Sequence, residues 1–107
     1  MRTNEATHEY PNTLIGENVM IGINVILEDG VIIGDGVIIG DGATLKGYTT
    51  VGDGAMIGHG VTLHNGVTIG VKAIVGSYAT IGKYSKIGDG AIVSSGLTVQ
   101  KHTILEG

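Results

Sequence analysis

Two histidines, His59 and His64, lie five positions apart and are the side chains best suited to chemistry in this chain. An imidazole exchanges protons near neutral pH, so either histidine can serve as a catalytic general base. A neutral imidazole is also a common zinc ligand. The other two histidines are weaker candidates for chemistry, since His8 is predicted to be solvent-exposed and His102 has no evident partner.

The elements that must position these histidines follow a six-residue repeat. From Ile15 onward, every sixth residue is isoleucine, leucine or valine, in all sixteen positions. These positions are Ile15, Ile21, Leu27, Ile33, Ile39, Leu45, Val51, Ile57, Leu63, Ile69, Val75, Ile81, Ile87, Val93, Val99 and Leu105. The residue two places earlier is small or β-branched, and the residue that follows is usually glycine. Such an internal period decides the fold.

The period predicts an all-β solenoid. A segment such as residues 37–39 forms a short strand that points its side chains inward, outward and inward. Segments such as 40–42, Gly-Asp-Gly, favour a turn. Three strands and three corners make a triangular coil, and about five coils stack roughly 4.8 Å apart. The frequent glycines exclude helices, and we predict an N-terminal segment over residues 1–13 and a β-helix domain over residues 14–107.

The repeat between residues 15 and 105 resembles that of the hexapeptide-repeat transferase superfamily, whose signature is Leu/Ile/Val-Gly-x-x-small-x. The resemblance implies a left-handed parallel β-helix, a homotrimer and a cytoplasmic protein. It also implies acyl transfer from acetyl-CoA or another acyl-CoA to a small hydroxyl or amine acceptor. A corner histidine is the general base in such enzymes, which makes His59 the first candidate here and His64 the second.

Outward-pointing residues differ between the three faces of the predicted prism. The first face carries an apolar column, which consists of Met20, Ile38, Met56, Ile74 and Ile92. Because a monomer rarely exposes so continuous a stripe, we expect this face to be buried against a second copy of the chain. The alternative is that the N-terminal segment, including Tyr10 and Pro11, covers it. His59 follows the first face directly and would border a groove between subunits.

A second interpretation concerns zinc. The segment from Ile57 to His64 resembles the His-x4-His segment of γ-class carbonic anhydrases, in which two such histidines and a third hold the metal between subunits. Lys46 stands where that resemblance requires the third histidine, and a protonated lysine one coil below His64 would repel a cation. We therefore expect no zinc here, and a carbonic-anhydrase-like protein would have a degenerate metal site.

Composition excludes several classes of function. The net charge of −4 over 107 residues gives no basic footprint for nucleic acid. No apolar run reaches the roughly 18 residues of a membrane span, and the polar start of the chain predicts no secretory signal. The absence of cysteine fits a reducing compartment. A non-catalytic trimeric scaffold remains open as a third function, because no insertion interrupts the repeats between residues 15 and 105.

Overall fold

The computed structural model describes residues 10–107, which form sixteen short parallel strands and no helix. The strands are β1 Leu14–Ile15, β2 Met20–Ile21, β3 Ile26–Leu27, β4 Ile32–Ile33, β5 Ile38–Ile39, β6 Thr44–Leu45, β7 Thr50–Val51, β8 Met56–Ile57, β9 Thr62–Leu63, β10 Thr68–Ile69, β11 Ile74–Val75, β12 Thr80–Ile81, β13 Lys86–Ile87, β14 Ile92–Val93, β15 Thr98–Val99 and β16 Ile104–Leu105. The predicted all-β solenoid of about five coils is confirmed. Each strand spans two residues, one fewer than the sequence pattern suggested.

Three parallel sheets form the sides of the prism. Face 1 contains β2, β5, β8, β11 and β14, face 2 contains β3, β6, β9, β12 and β15, and face 3 contains the remaining six strands. Every strand pairs with the strand three places further along the chain, so that Ile38 lies beside Met56 and Ile39 beside Ile57. Residues 18 positions apart are therefore neighbours in adjacent coils.

The inward residues fill one continuous core along the prism. Ile39, Ile57 and Leu63 are almost completely buried, and so are small residues such as Ala55 and Val61 that precede the strands. Large aliphatic side chains alternate with small ones because the interior of a triangular coil is narrow. The predicted inward positions are thus confirmed for most of the prism, whereas Leu97 is exposed and Ile21, Thr103 and Leu105, near its two ends, are only partly buried.

Three polar side chains, Thr13, Thr49 and Ser85, are buried and make hydrogen bonds there. Thr13 donates to the carbonyl of Tyr10 at 2.5 Å. Thr49 donates a hydrogen bond to the carbonyl of Lys46 at 2.7 Å, and Ser85 donates to the carbonyl of Gln100 at 2.8 Å. Each hydroxyl therefore binds a backbone carbonyl, and its burial leaves no orphaned polar atom.

The corners are named after the face that they follow. Corner 1 consists of residues 22–24, 40–42, 58–60, 76–78 and 94–96, and corner 2 of residues 28–30, 46–48, 64–66, 82–84 and 100–102. Corner 3 consists of residues 16–18, 34–36, 52–54, 70–72 and 88–90. At the third residue of each of these corners the backbone is left-handed, in eight glycines and seven other residues, and Asn12, before β1, has the same conformation.

The first nine residues lie outside the described part of the chain, and His8 and most of the predicted N-terminal segment fall there. Tyr10 is partly buried and packs against the core, while Pro11 is exposed. No helix capable of crossing a membrane occurs within residues 10–107.

Glycine has two separate roles at the corners, and substitutions at Gly34 and Gly36 should distinguish them. A Cβ on Gly34 would lie 2.8 Å from the backbone nitrogen of Asp53 in the next coil, whereas Gly36, at φ +71°, has open space around it. We expect Gly36→Ala to cost about 1 kcal/mol through the left-handed conformation alone. Gly34→Ala should cost about 3 kcal/mol, because the coils must move apart.

Urea denaturation followed by circular dichroism measures both free energies of unfolding. An equal decrease in the free energy of unfolding for the two variants would show that contact between corner backbones does not limit the spacing of the coils.

Candidate functional site

His59 and His64 lie on different edges of the prism. His59 is the middle residue of corner 1, between β8 and β9, whereas His64 opens corner 2, between β9 and β10. The strand β9 and its face separate the two corners. The two histidines therefore have different neighbours and do not form one site within a single subunit.

The imidazole of His59 is hydrogen-bonded to the backbone of the preceding coil. Its Nδ1 accepts a hydrogen bond from the backbone N–H of Asp41 at 2.8 Å, and its own backbone N–H donates to Oγ of Ser77 at 3.2 Å. The carboxylate Oδ2 of Asp41 lies 4.0 Å from Nδ1, and 61% of the histidine side chain is exposed. Because a nitrogen that accepts a hydrogen bond carries no proton, the neutral imidazole bears its proton on Nε2.

The bond to His59 is one member of a ladder that runs along corners 1 and 3. In each rung, the side chain of the middle corner residue accepts the backbone N–H of the residue 18 positions earlier. The rungs pair Glu17 with Asp35, Ile23 with Asp41, Asp35 with Asp53, Asp41 with His59, His59 with Ser77 and Val71 with Asp89. We call this the corner ladder. His59 thus occupies a position where aspartate or serine elsewhere supplies the acceptor.

His64 has a different environment. Its backbone N–H donates to the carbonyl of Ile81 at 3.0 Å, while its half-buried imidazole has no hydrogen-bond partner among the described residues. The N–H of Lys46 donates to the carbonyl of Leu63 at 2.9 Å. That bond places Lys46 in the coil preceding His64, as the sequence predicted.

Four of the five segments of corner 2 lack the opening glycine that is usual at the other corners. The first positions hold Glu28, Lys46, His64, Gly82 and Gln100. A cleft of about 480 Å³ lies there, lined by Glu28, Asp29, Gly47, Tyr48 and Asn65. This cleft was not predicted from the sequence, although the missing glycines at these positions were a signal for it.

A second cleft, of about 240 Å³, lies beside corner 1. Its lining consists of Met56, Ile57, Gly58, Ile74, Val75, Gly76, Ser77 and Ser95. Gly58 of this lining immediately precedes His59, but the histidine itself does not line the cleft, and its ring bonds to Asp41 in the preceding coil. The surface is mostly apolar, with two hydroxyl groups on one side.

The apolar column of face 1 remains exposed on the single chain. Met20, Ile38, Met56, Ile74 and Ile92 are all exposed. The cleft beside corner 1 opens onto the column through Met56 and Ile74. The alternative that the N-terminal segment covers the column concerns mostly residues 1–9, which lie outside the described part of the chain.

His102, which was expected to have no partner, stacks on the ring of Tyr84, with centroids 5.5 Å apart and planes at 18°. The expectation failed because residues 18 positions apart face each other across coils. As for metals, residues 10–107 contain no group of three or more histidines or carboxylates placed to hold an ion.

Comparison with known proteins identifies the family. The profile of the bacterial transferase hexapeptide family (six repeats) matches residues 12–47 and 48–83, and the chain belongs to this family. No curated protein sequence matches the chain.

Three solved structures share the fold. The acetyltransferase domain of PglB from Neisseria gonorrhoeae FA1090, in complex with acetyl coenzyme A, has a TM-score of 0.73 and 24% identity over 89% of this chain and 51% of its own. WeeI from Acinetobacter baumannii AYE has a TM-score of 0.66 and 19% identity over 89% of this chain and 49% of its own. The N-terminal domain of CcmM, in complex with CcmN, has a TM-score of 0.63 and 24% identity over 89% of this chain and 83% of its own.

The chain spans about half the length of the first two of these structures. Because these three proteins are only 19–24% identical to this chain, the similarity establishes the fold and does not establish the function.

The ladder bond of His59 can be tested by exchanging the acceptor. His59→Asp places at this position the residue that accepts the same bond from Ile23, Asp35 or Val71 elsewhere, so the amide of Asp41 should stay protected. His59→Ala removes the acceptor and should speed hydrogen exchange at that amide, with a cost of about 1 kcal/mol or less because water replaces the bond. Amide exchange by NMR measures both, and similar exchange in the two variants would rule out the bond.

Proposed function

We propose that this chain forms the catalytic solenoid of an acyltransferase that moves an acetyl or other acyl group from coenzyme A to a small hydroxyl or amine acceptor. The observation that carries the proposal is the cleft beside corner 1, whose lining ends one residue before His59 in that segment and which opens onto the exposed apolar column of face 1. Membership of the transferase hexapeptide family supports it. So does the similar fold of the PglB domain, which binds acetyl coenzyme A.

The cleft suits an acyl thioester chemically. Met56 and Ile74 offer apolar contact to an acyl chain, while Gly58 and Gly76 pack closely against the corner backbone of the next coil. The hydroxyls of Ser77 and Ser95 provide polar contacts on the same cleft. The acyl group would lie along these residues, with its thioester near the imidazole of His59.

His59 is the first candidate for the side chain that acts on the reacting groups, and His64 is the second. His59 follows Gly58 of the cleft lining in the chain, and its Nδ1 accepts a hydrogen bond from the N–H of Asp41. The imidazole of His64 has no such bond, yet it lies on corner 2, across face 2 from the cleft. Within one subunit, the position of His59 favours it.

A second copy of the chain would complete the site. We propose that face 1 packs against a neighbouring subunit in a homotrimer, because a continuous apolar column is costly to leave in water. The cleft would then become an enclosed groove between two subunits.

Activity separates the two histidines. Wild-type protein should release free coenzyme A thiol from acetyl-CoA when a suitable amine or hydroxyl acceptor is present. His59→Asp, which keeps the corner ladder, should lower kcat by about 100-fold or more, since a group acting directly on the reaction is lost. His64→Gln, the residue that Gln100 places at the same corner position, should change kcat by less than about threefold.

Thiol detection with a panel of acceptors measures these rates. Full activity in His59→Asp, together with loss in His64→Gln, would transfer the role to His64. Failure of the wild-type protein to bind acetyl-CoA in a thermal-shift assay would reject acyl transfer.

The trimer has its own test. Ile74→Asp places a charge on the apolar column and should convert the wild-type trimer to a monomer at micromolar concentration, because burying an unpaired carboxylate is costly. Thr80→Asp, on face 2, is the matched control and should remain trimeric. Analytical ultracentrifugation measures both, and a monomeric wild-type protein would contradict the proposed interface.

A non-catalytic scaffold is the second candidate function. The observation in its favour is that His59 fills a ladder position which aspartate or serine fills elsewhere, so its presence is explained without catalysis. A robust trimer that neither binds acetyl-CoA nor contains stoichiometric zinc would favour this scaffold. Stoichiometric zinc in elemental analysis would instead support a carbonic-anhydrase-like site formed between subunits.

A further inference from the structure

We propose that Asn65 is a site of spontaneous deamidation in this protein, at which the backbone nitrogen of Gly66 attacks the side-chain amide and converts it to aspartate or isoaspartate. The site lies at corner 2, across face 2 from the cleft beside corner 1, so the inference does not depend on acyl transfer. It follows from one dipeptide of the sequence and from the way in which the coils hold its two residues.

Asn65 is the only asparagine of the chain that precedes a glycine. The other four precede glutamate, threonine or valine, whose side chains hinder the backbone nitrogen that has to attack. Glycine has no side chain and adopts many backbone conformations, so its nitrogen can approach the preceding carboxamide. Asparagine is also among the thermolabile residues of proteins. The dipeptide at residues 65–66 is therefore the position in this sequence best suited to deamidation.

The side chain of Asn65 does not belong to the corner ladder. Asn65 is the middle residue of its corner, and at corners 1 and 3 a side chain in this position accepts the backbone N–H 18 residues earlier. The corresponding N–H at corner 2 belongs to Gly47, and it donates to Oε1 of Glu28 at 3.0 Å instead. Glu28 thus occupies the donor that would otherwise hold the Asn65 carboxamide.

The carboxamide of Asn65 is consequently able to turn. Among the described residues no hydrogen bond holds this side chain, which is half-buried and lines the corner 2 cleft. Its Nδ2 lies 3.3 Å from the position that a Cβ on Gly47 would take, so it stays close to the N–H that Glu28 binds. Rotation of the side chain toward its own backbone therefore breaks no bond between coils.

The attacking residue, Gly66, is held more firmly. Its N–H donates to the carbonyl of Gly47 at 3.1 Å, and a Cβ on Gly66 would lie 2.6 Å from Cε1 of Tyr84, whose ring covers it. Tyr84 in turn stacks on His102. The nitrogen has to lose its proton before it attacks, and it keeps that proton while the bond to Gly47 is made. Deamidation of the folded chain is therefore slow and proceeds when this corner opens locally.

The reaction needs only water. Solvent hydroxide removes the proton of the Gly66 N–H, and the nitrogen attacks Cγ of Asn65. The bond from Cγ to Nδ2 then breaks, ammonia leaves with a proton from water, and a five-membered succinimide remains. Water adds to one of the two succinimide carbonyls and opens the ring, which gives aspartate or isoaspartate. One water is consumed and one ammonia is released, with no change of oxidation state.

Either product disturbs corner 2. Aspartate adds a negative charge to a cleft that already contains the carboxylates of Glu28 and Asp29, and like charges repel at short range. Isoaspartate lengthens the backbone by one methylene group, which the interval of 18 residues between coils does not accommodate. We expect the modified chain to unfold at a lower urea concentration than the unmodified chain.

Two tyrosine variants test the protection of Gly66. The folded chain is incubated at mildly alkaline pH, and peptide mass spectrometry follows the conversion at position 65. Tyr84→Ala removes the covering ring and should speed the conversion about 3- to 10-fold. Tyr78→Ala is the matched control, because the ring of Tyr78 covers Gly60 at corner 1 in the same way. Its rate should stay within about twofold of the wild-type rate.

Two variants of Glu28 test the freedom of the carboxamide and should act in the opposite direction. Glu28→Ala releases the N–H of Gly47 to the carboxamide oxygen of Asn65, as in the corner ladder, and should slow the conversion about threefold or more. Glu28→Gln keeps an acceptor for that N–H and should convert at the wild-type rate. Circular dichroism checks that each variant is folded. If Tyr84→Ala does not fold, the Glu28 pair decides the inference.

A synthetic peptide of residues 61–70 gives the rate of the same sequence without the fold. Asn65→Gln should abolish the conversion in the folded chain, because glutamine would have to form a less favourable six-membered ring. A wild-type chain that stays unmodified long after the peptide has been fully converted would overturn the inference. Equal rates in wild-type, Tyr84→Ala and Glu28→Ala protein would also overturn it, since the corner would then have no influence on the reaction.

Discussion

The parallel stacking of coils at an interval of 18 residues is the constraint on which the rest of this structure depends. Backbone hydrogen bonds join the strands of adjacent coils. For example, the N–H of Ile38 donates to the carbonyl of Ala55 at 3.1 Å, and the N–H of Gly40 donates to the carbonyl of Ile57 at 2.8 Å. This stacking turns a periodic sequence into aligned columns of side chains. A residue's environment is therefore set by the residues 18 positions before and after it.

The columns explain why one side chain can serve both structure and chemistry. The faces offer strands whose outward residues point into solvent, whereas the corners bring a backbone N–H of one coil against a side chain of the next. His59 accepts such an N–H with Nδ1, while 61% of its side chain is exposed. The fold thereby fixes which nitrogen carries the proton, which bears directly on whether the residue donates or accepts hydrogen bonds during a reaction.

Corner 2 differs from the other corners in the residues that open its segments. A glycine opens nearly every segment of corners 1 and 3 and lets neighbouring backbones approach closely, but longer side chains open four of the five segments of corner 2. Glu28 there accepts the N–H of Gly47 at 3.0 Å, which reverses the direction of the ladder bond between coils. A cleft lined in part by Asn65 lies at this corner.

The sequence by itself determined the solenoid, its number of coils, its inward residues and the separation of His59 from His64, because a strict period of six fixes which side chains share a face. It also placed Lys46 one coil before His64. Only the tertiary structure decided what each corner residue touches, including the stacking of His102 on Tyr84, the bond from Asp41 to His59 and the two clefts. Those contacts depend on rotamers and on corner geometry between coils, and a repeat pattern specifies neighbours without specifying the direction of their polar atoms.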